Sequence, residues 1–328
     1  MLNGIEIAGI GAYTPEKILT NHDLEKMVDT SDEWITSRTG IKERHIAAED
    51  QPTSALAALA AEKALNSANI SPEKLDIIIV ATITPDEPFP NTACHVQRRI
   101  GAENAFCFEL EAACSGFLYM FEVASALIKT GNYNNALIIG AEKMSAIMNW
   151  KDRDTCVLFG DGAGAVVLKK TSLEKDCFIA SSLRSDGQYT HLLHTPGGGS
   201  LIPTSHETVD QQLQYLTMSG KGIFKLAVNE MTSSCKKVLE KAEITIDQVK
   251  WLIPHQANVR IIKSVGRSLK IPTERVYINV DKYGNTSSAT IPICMDEIKQ
   301  NNLANTGDYI LMTAFGGGLT FGATLIKW

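Results

Sequence analysis

Cys114 sits where an apolar, strand-like run gives way to an apolar, helix-like run, in Phe108-Glu-Leu-Glu-Ala-Ala-Cys-Ser-Gly-Phe-Leu-Tyr-Met-Phe-Glu-Val-Ala. A thiol at a helix N-terminus is suited to nucleophilic attack. The unpartnered N–H groups of the first turn carry roughly half a positive charge, which favours thiolate over thiol and stabilises the oxyanion of an attacked acyl group. A buried structural cysteine is the competing reading, because free Cys is among the most buried residue types. Two further residues tip the balance toward a nucleophile. His255, in Ile253-Pro-His-Gln-Ala-Asn-Val-Arg, follows a short strand and precedes an amphipathic helix, a strand end of the kind that faces a crevice and gathers ligands in α/β proteins. Asn285, in Tyr283-Gly-Asn-Thr-Ser-Ser-Ala, follows the apolar run Val276-Tyr-Ile-Asn-Val and precedes a helix that begins with small residues. Singly, a His or Asn beside a turn is more often structural. Three such residues on equivalent strand ends would converge on one pocket.

The elements that must position them recur. An Ala/Leu-rich helix over residues 55–68 leads through Ala68-Asn-Ile-Ser-Pro-Glu-Lys-Leu-Asp to the buried-strand run Ile77-Ile-Ile-Val-Ala. Ser234-Cys-Lys-Lys-Val-Leu-Glu-Lys leads in the same way through Ala242-Glu-Ile-Thr-Ile-Asp-Gln-Val-Lys to Trp251-Leu-Ile, 174 residues later. A second echo pairs Ala136-Leu-Ile-Ile-Gly-Ala with Tyr309-Ile-Leu-Met-Thr-Ala at a spacing of 173. The chain therefore reads as a duplicated α/β unit, with a mainly parallel sheet in each half, helices between and outside the sheets, and the turns of Cys114 and Asn285 facing each other across a pseudo-twofold axis. The halves are taken as residues 1–172, carrying Cys114, and 173–328, carrying His255 and Asn285. The irregular connection is sought in the Gly/Pro/polar stretch 186–209.

Composition narrows the classes. The 328 residues are 44% apolar, enough for a sizeable core, and contain no apolar run of membrane-spanning length. The N-terminal residues lack the basic-then-apolar order of a secretory leader, so a cytoplasmic setting is expected. Seven scattered Cys without a Cys-x-x-Cys pair indicate neither a disulfide frame nor a zinc site. A net charge of −6 argues against a general nucleic-acid or membrane-surface binder.

Ala113-Cys-Ser-Gly-Phe, Pro254-His-Gln-Ala-Asn, Gly284-Asn-Thr-Ser and Phe315-Gly-Gly-Gly-Leu-Thr resemble the signature segments of the β-ketoacyl-acyl-carrier-protein synthase III family, the initiating condensing enzymes of bacterial fatty-acid synthesis. Asp32-Glu-Trp-Ile-Thr-Ser-Arg-Thr-Gly-Ile and Phe159-Gly-Asp-Gly-Ala-Gly-Ala extend the likeness, which runs from about residue 3 to the C-terminus. The resemblance implies the thiolase-type duplicated α/β fold in five layers, αβαβα, and a homodimer. It implies that Cys114 takes an acyl group from acyl-CoA, and that malonyl-acyl-carrier-protein loses carbon dioxide and its carbanion attacks the thioester. His255 and Asn285 would donate to the enolate oxygen, and the N–H groups of Cys114 and Gly317 would form the oxyanion hole. Trp34 and Arg153 match a pair that sandwiches the adenine of CoA; Thr30 and Arg38 match contacts at the nucleotide end; Gly220 and Asn258 match the pantetheine arm. Phe89 matches a residue at the end of the acyl pocket and points to a short starter such as acetyl. No cofactor is implied, since the CoA thioester is a substrate.

After His255, Arg260, Lys263 and Arg267 share one helix face while Ile261, Ile262, Val265 and Leu269 share the other. A solvated face often looks like this, yet beside an active-site mouth the stripe suits an acidic carrier protein. Lys225 resembles another member of that docking surface. The family often has two adjacent basic residues where this chain has Arg267-Ser268. Gly160-Asp-Gly-Ala-Gly-Ala is not read as a nucleotide loop, because Val166-Val-Leu after it reads as a strand. His191 and His194 lack further ligands at metal spacing, so no metal is expected. Three other readings stay open: a cysteine hydrolase, since Cys, His and Asn also occur in this order in papain-like proteases; a non-catalytic acyl-CoA-binding subunit; and a condensing enzyme of a polyketide or alkylquinolone pathway.

Overall fold

Repetition in the sequence becomes repetition in three dimensions in the computed structural model, which describes residues 3–328. The first sheet contains β1 (Gly4–Tyr13), β2 (Ile77–Ala81), β3 (Phe106–Leu110), β4 (Asn135–Glu142) and β5 (Gly162–Thr171), in the order β1-β5-β4-β2-β3. The second contains β6 (Phe178–Ser185), β7 (Val249–Pro254), β8 (Tyr309–Gly316) and β9 (Thr320–Lys327), in the order β7-β8-β9-β6. β2 is buried along its whole length and β4 and β8 from their second residue onward, as continuous apolar runs predict.

The helices form the other three layers. α1 (Asp32–Thr39), α2 (Thr53–Ala68) and α3 (Thr92–Ile100) belong to the first half, as does α4 (Gly116–Lys129); α5 (Gly220–Ala242), α6 (Val259–Leu269) and α7 (Thr290–Gln300) belong to the second. α4 and α7 lie between the sheets, where Phe117, Phe121, Ile291 and Met295 are buried against Ile79, Ile138, Ile310 and Met312. Burying Phe117 and Phe121 completely contributes about 2–3 kcal/mol each. α2 and α3 cover the outer face of the first sheet, and α5 and α6 that of the second. This is the expected five-layered duplicated α/β fold.

The repeat is more regular than the sequence suggests. α2 and α5 both end on left-handed residues, Asn69 and Glu243, and short 3-10 turns follow at Pro72–Lys74 and Ile246–Gln248. β4 and β8 are both eight residues long and start 174 positions apart, so the spacing of 173 read from the second echo is off by one. The 3-10 turns Ala113–Ser115 and Ser287–Ala289 keep the same spacing, and each feeds directly into an inter-sheet helix. The positional counterpart of Cys114 is thus Ser288, with Asn285 three residues before it.

Three expectations are corrected. The sheets are mixed rather than mainly parallel: β3-β2-β4 and β7-β8 run parallel, whereas β4-β5, β5-β1, β8-β9 and β9-β6 run antiparallel. The short connection between β8 and β9 leaves no room for the crossover that a parallel pair needs. The passage from one sheet to the other falls between β5 and β6, around residues 172–177, so stretch 186–209 is an excursion within the second half. The run at Val276 is not a full strand. It makes one bridge, Val276 with Leu252, before the helical turn Val280–Tyr283.

Candidate active site

Cys114 is held by a backbone turn before its chemistry begins. Ala113 adopts a left-handed conformation, φ 46°, which swings the chain from β3 into the 3-10 turn and then α4. β8 backs the turn so closely that a Cβ on Gly316 would lie 2.7 Å from Cys114 N, an approach only glycine permits. Thr320 Oγ1 donates to Ala112 O at 2.7 Å and Ser115 Oγ donates to Thr320 O at 3.0 Å, tying the first half's turn to the second half's hairpin. Neither Cys114 N–H nor Gly317 N–H has a backbone acceptor among the described residues.

The second half supplies the opposite wall. Asn285 is locked by a bridge to Phe159: its N–H donates to Leu158 O at 2.8 Å, and Gly160 N–H donates to Asn285 O at 3.1 Å. Ser287 N–H donates to Asn285 Oδ1 at 2.8 Å, which fixes the amide so that Nδ2–H is the group left over. His255 N–H donates to Thr313 O at 2.7 Å at the end of β7. The side chain is 2% exposed, deeper than the crevice position expected of it, and burial lowers its pKa to about 3. The imidazole is neutral. Its Nδ1 lies 2.7 Å from Thr290 Oγ1, which leaves Nε2 for the pocket.

Cys114, His255 and Asn285 line one cavity of 120 Å³ together with Phe224, Asn258 and Phe315. Cys114 also lines a second cavity of 420 Å³, with Ile83, Met144, Leu216 and Gly317. Cys114 is thus common to the walls of both chambers. One expectation fails here. Burial pushes the Cys114 thiol up to about 12, the Ser287 hydroxyl only partly offsets this, and Glu142 adds to it. The resting group is a thiol, because desolvation outweighs a favourable helix end.

Glu142 was not legible as a site residue. It is fully buried with no cationic partner among the described residues, and it accepts from Thr82 Oγ1 at 3.0 Å, Thr84 Oγ1 at 2.6 Å, Ile83 N–H at 3.1 Å and Ser288 Oγ at 3.2 Å. Desolvation raises its carboxyl to about 7 against those donors. The side chain clamps the 82–84 wall of the larger chamber to the turn that follows Asn285. An acidic residue closing the apolar run of β4 was the available signal.

The remaining expected residues fall in two groups. Gly220 and Asn258 line the smaller cavity; Asn258 caps α6 by accepting from Arg260 N–H at 2.8 Å, and it donates to Arg38 O at 3.2 Å. Arg260, Lys263, Arg267 and Lys225 are exposed, and the Arg260 guanidinium lies 5.6 Å from the Phe224 ring at that mouth. Arg153 and Arg38 lie 4.8 and 4.7 Å from the centre of the Trp34 ring. An intercalated base needs about 7 Å between flanking groups, so a nucleotide would have to displace Arg153 from Trp34. Thr30 Oγ1 is buried without a partner near Asp29, whose carbonyl accepts from Arg153 at 2.8 Å. Phe89 is the exception. It is 85% exposed and lines neither chamber of its own chain. No cluster of three His, Cys, Asp or Glu side chains in metal-binding geometry occurs among the described residues, and no described helix is long and apolar enough to cross a membrane.

Known proteins share this arrangement. Residues 108–187 match the family model for 3-oxoacyl-[acyl-carrier-protein] synthase III, and residues 239–328 match the model for its C-terminal part. A β-ketoacyl-[acyl-carrier-protein] synthase III of Caldanaerobacter subterraneus subsp. tengcongensis is 53% identical over 98% of this chain and 97% of its own. The crystal structure of 3-oxoacyl-[acyl-carrier-protein] synthase III from Aquifex aeolicus VF5 superposes with a TM-score of 0.92 at 49% identity, over 99% of this chain and 100% of that one. The priming β-ketosynthase of the R1128 polyketide biosynthetic pathway superposes as well, TM-score 0.92, but at 29% identity over 99% of this chain and 96% of that one.

Proposed function

Because the chain belongs to the 3-oxoacyl-[acyl-carrier-protein] synthase III family, we propose that it starts fatty-acid synthesis by condensing a short acyl-CoA with malonyl-acyl-carrier-protein. The observation that carries this reading is the single cavity shared by a nucleophilic sulfur, a neutral imidazole and an oriented carboxamide. In the first half-reaction Cys114 Sγ attacks the acyl-CoA carbonyl. The developing oxyanion is received by the N–H groups of Cys114 and Gly317, and collapse expels CoA. The proton of the Cys114 thiol ends on the CoA sulfur, so no resident thiolate is required and a raised thiol pKa is tolerated.

In the second half-reaction the malonyl carboxylate leaves as carbon dioxide and its electron pair passes into an enolate whose oxygen accepts from His255 Nε2–H and Asn285 Nδ2–H. The carbanion attacks the Cys114 thioester, and the released sulfur takes one proton from solvent. Neutral donors suit this step, since they receive negative charge without competing to ionise.

The larger chamber suits the acyl chain and the smaller one the pantetheine arm, with the basic residues at its mouth suited to an acidic carrier protein. Phe89 serves starter choice through a second copy of the chain, since its own chain leaves it exposed. All seven cysteines are free, which fits a reducing cytoplasmic setting. A papain-like hydrolase is disfavoured. It needs a thiolate–imidazolium pair, whereas here burial holds the thiol protonated and the imidazole neutral. The polyketide reading has the weaker support, 29% identity against 49–53%.

Incubation with acetyl-CoA and malonyl-acyl-carrier-protein should yield 3-oxobutyryl-acyl-carrier-protein and carbon dioxide in equal amounts. The Cys114→Ala variant should form none while still decarboxylating malonyl-acyl-carrier-protein slowly. Release of free acetate with no condensation product would refute the proposal.

A further inference from the structure

Thr290 stands where it decides which nitrogen of His255 carries the proton. Its hydroxyl is buried, 2.7 Å from His255 Nδ1 and 3.0 Å from Ser287 O. A neutral imidazole has one N–H, and the partner of one nitrogen sets the state of the other. Two arrangements satisfy these distances. In one, Nδ1–H donates to Thr290 Oγ1, the hydroxyl donates to Ser287 O, and Nε2 is bare. In the other, the hydroxyl donates to Nδ1, and Nε2 carries the proton into the cavity.

The donor role given to His255 above needs the second, and one observation favours it. Ser287 O already accepts the backbone N–H of Thr290, so it does not depend on the hydroxyl. No other partner meets His255 Nδ1 among the described residues, so Thr290 alone sets the state of that nitrogen. The helix rotamer of Thr290 brings Oγ1 within 3.0 Å of Ser287 O, but the His255 Nδ1 acceptor at 2.7 Å is the nearer of the two. Burial lowers the basicity of the ring and keeps it neutral in either arrangement.

We propose that Thr290 is a positioning residue that donates to His255 Nδ1 and holds the ring as the Nε2–H tautomer, ready to donate to the enolate oxygen. This rests on the condensing role given to His255 above. It assigns the first residue of α7 a part in the second half-reaction and none in the first, because transfer of the acyl group to Cys114 uses backbone N–H groups.

Protein labelled with 15N at histidine distinguishes the tautomers directly by NMR, since protonated and bare ring nitrogens resonate far apart. In the wild type, His255 should be protonated at Nε2. Thr290→Val, which keeps the shape and removes the hydroxyl, should lose that signature, with condensation and malonyl decarboxylation falling about 100-fold while acylation of Cys114 by acetyl-CoA stays within about threefold. Thr290→Ser should restore both signature and rate. A wild-type His255 protonated at Nδ1, or a Thr290→Val variant with unchanged tautomer and turnover, would overturn the inference. Should the Val variant fail to fold, the wild-type spectrum and the Ser variant still decide. The underlying reading fails separately: a His255→Ala variant that decarboxylates malonyl-acyl-carrier-protein at the wild-type rate would remove the role itself, whatever the tautomer.

Discussion

Glu142 shows how a buried charge is carried for the sake of geometry. Its carboxyl is raised from an ordinary 4.5 to about 7 by desolvation, so the folded chain holds the proton more tightly than the unfolded one. Below about pH 4.5 both states are protonated. Between there and about pH 7 the unfolded chain releases the proton first, so this residue lowers stability as pH rises through that window, by about 3 kcal/mol in total. Glu142→Gln should therefore lose less stability than the wild type between pH 5 and 7.5 in urea unfolding; parallel curves would mean that the carboxyl is ionised throughout. At this scale the sequence makes Cys114, His255 and Asn285 visible because each sits in a distinctive turn. It does not reveal that Cys114 rests as a thiol, since desolvation depends on which chains pack over the turn. Glu142 and Thr290 escape notice for a related reason: their partners lie at 82–84 and at 255, far away in sequence.

Elements are where the chain repeats itself most faithfully. The echo between the halves is legible in the sequence, but the matching left-handed ends at Asn69 and Glu243 and the paired 3-10 turns appear only in the structure, since a Glu does not announce a left-handed cap. The second half's missing strand is not legible either. Gln256 takes over the contacts a ladder would make: its Oε1 accepts from Asn279 N–H at 3.0 Å and its Nε2 donates to Pro254 O at 2.7 Å and Tyr277 O at 3.2 Å. A side chain intercepting backbone groups leaves no trace in apolar periodicity. α6 behaves as its pattern predicts, with Ile261, Ile262, Val265 and Leu269 buried and the cations outward. If that face receives an acidic carrier protein, Arg260→Glu should raise KM for malonyl-acyl-carrier-protein about tenfold at low salt, and the difference should shrink at high salt. The acetyl-CoA acylation rate should change far less. Equal losses in both half-reactions would instead tie Arg260 to the shared channel.

For the whole molecule, two sheets and three helical layers place each half's turn against the other half's strand, so neither half completes the site alone. With the second copy of the chain proposed above, Phe89 would extend this logic beyond one chain. A phenylalanine that is 85% exposed is an anomaly in a monomer and an expected feature of an interface. Light scattering should return twice the chain mass of 35.7 kDa, and Phe89→Ala should shift the accepted starter toward longer acyl-CoAs while leaving the dimer intact. A monomer with an unchanged starter range would remove Phe89 from the account. The sequence assigns this side chain a role only through the family resemblance, because nothing in its own chain packs around it.

The central claim is that one sulfur passes an acyl group from CoA to a malonyl-derived carbanion. Peptide mass spectrometry after exposure to acetyl-CoA alone tests it most directly. The account predicts one acetyl group on the peptide bearing Cys114 and its loss as soon as malonyl-acyl-carrier-protein is added, with the acetyl carbons recovered in the 3-oxoacyl product. Acetyl on any other residue, or on Cys114 but indifferent to the malonyl partner, would contradict it.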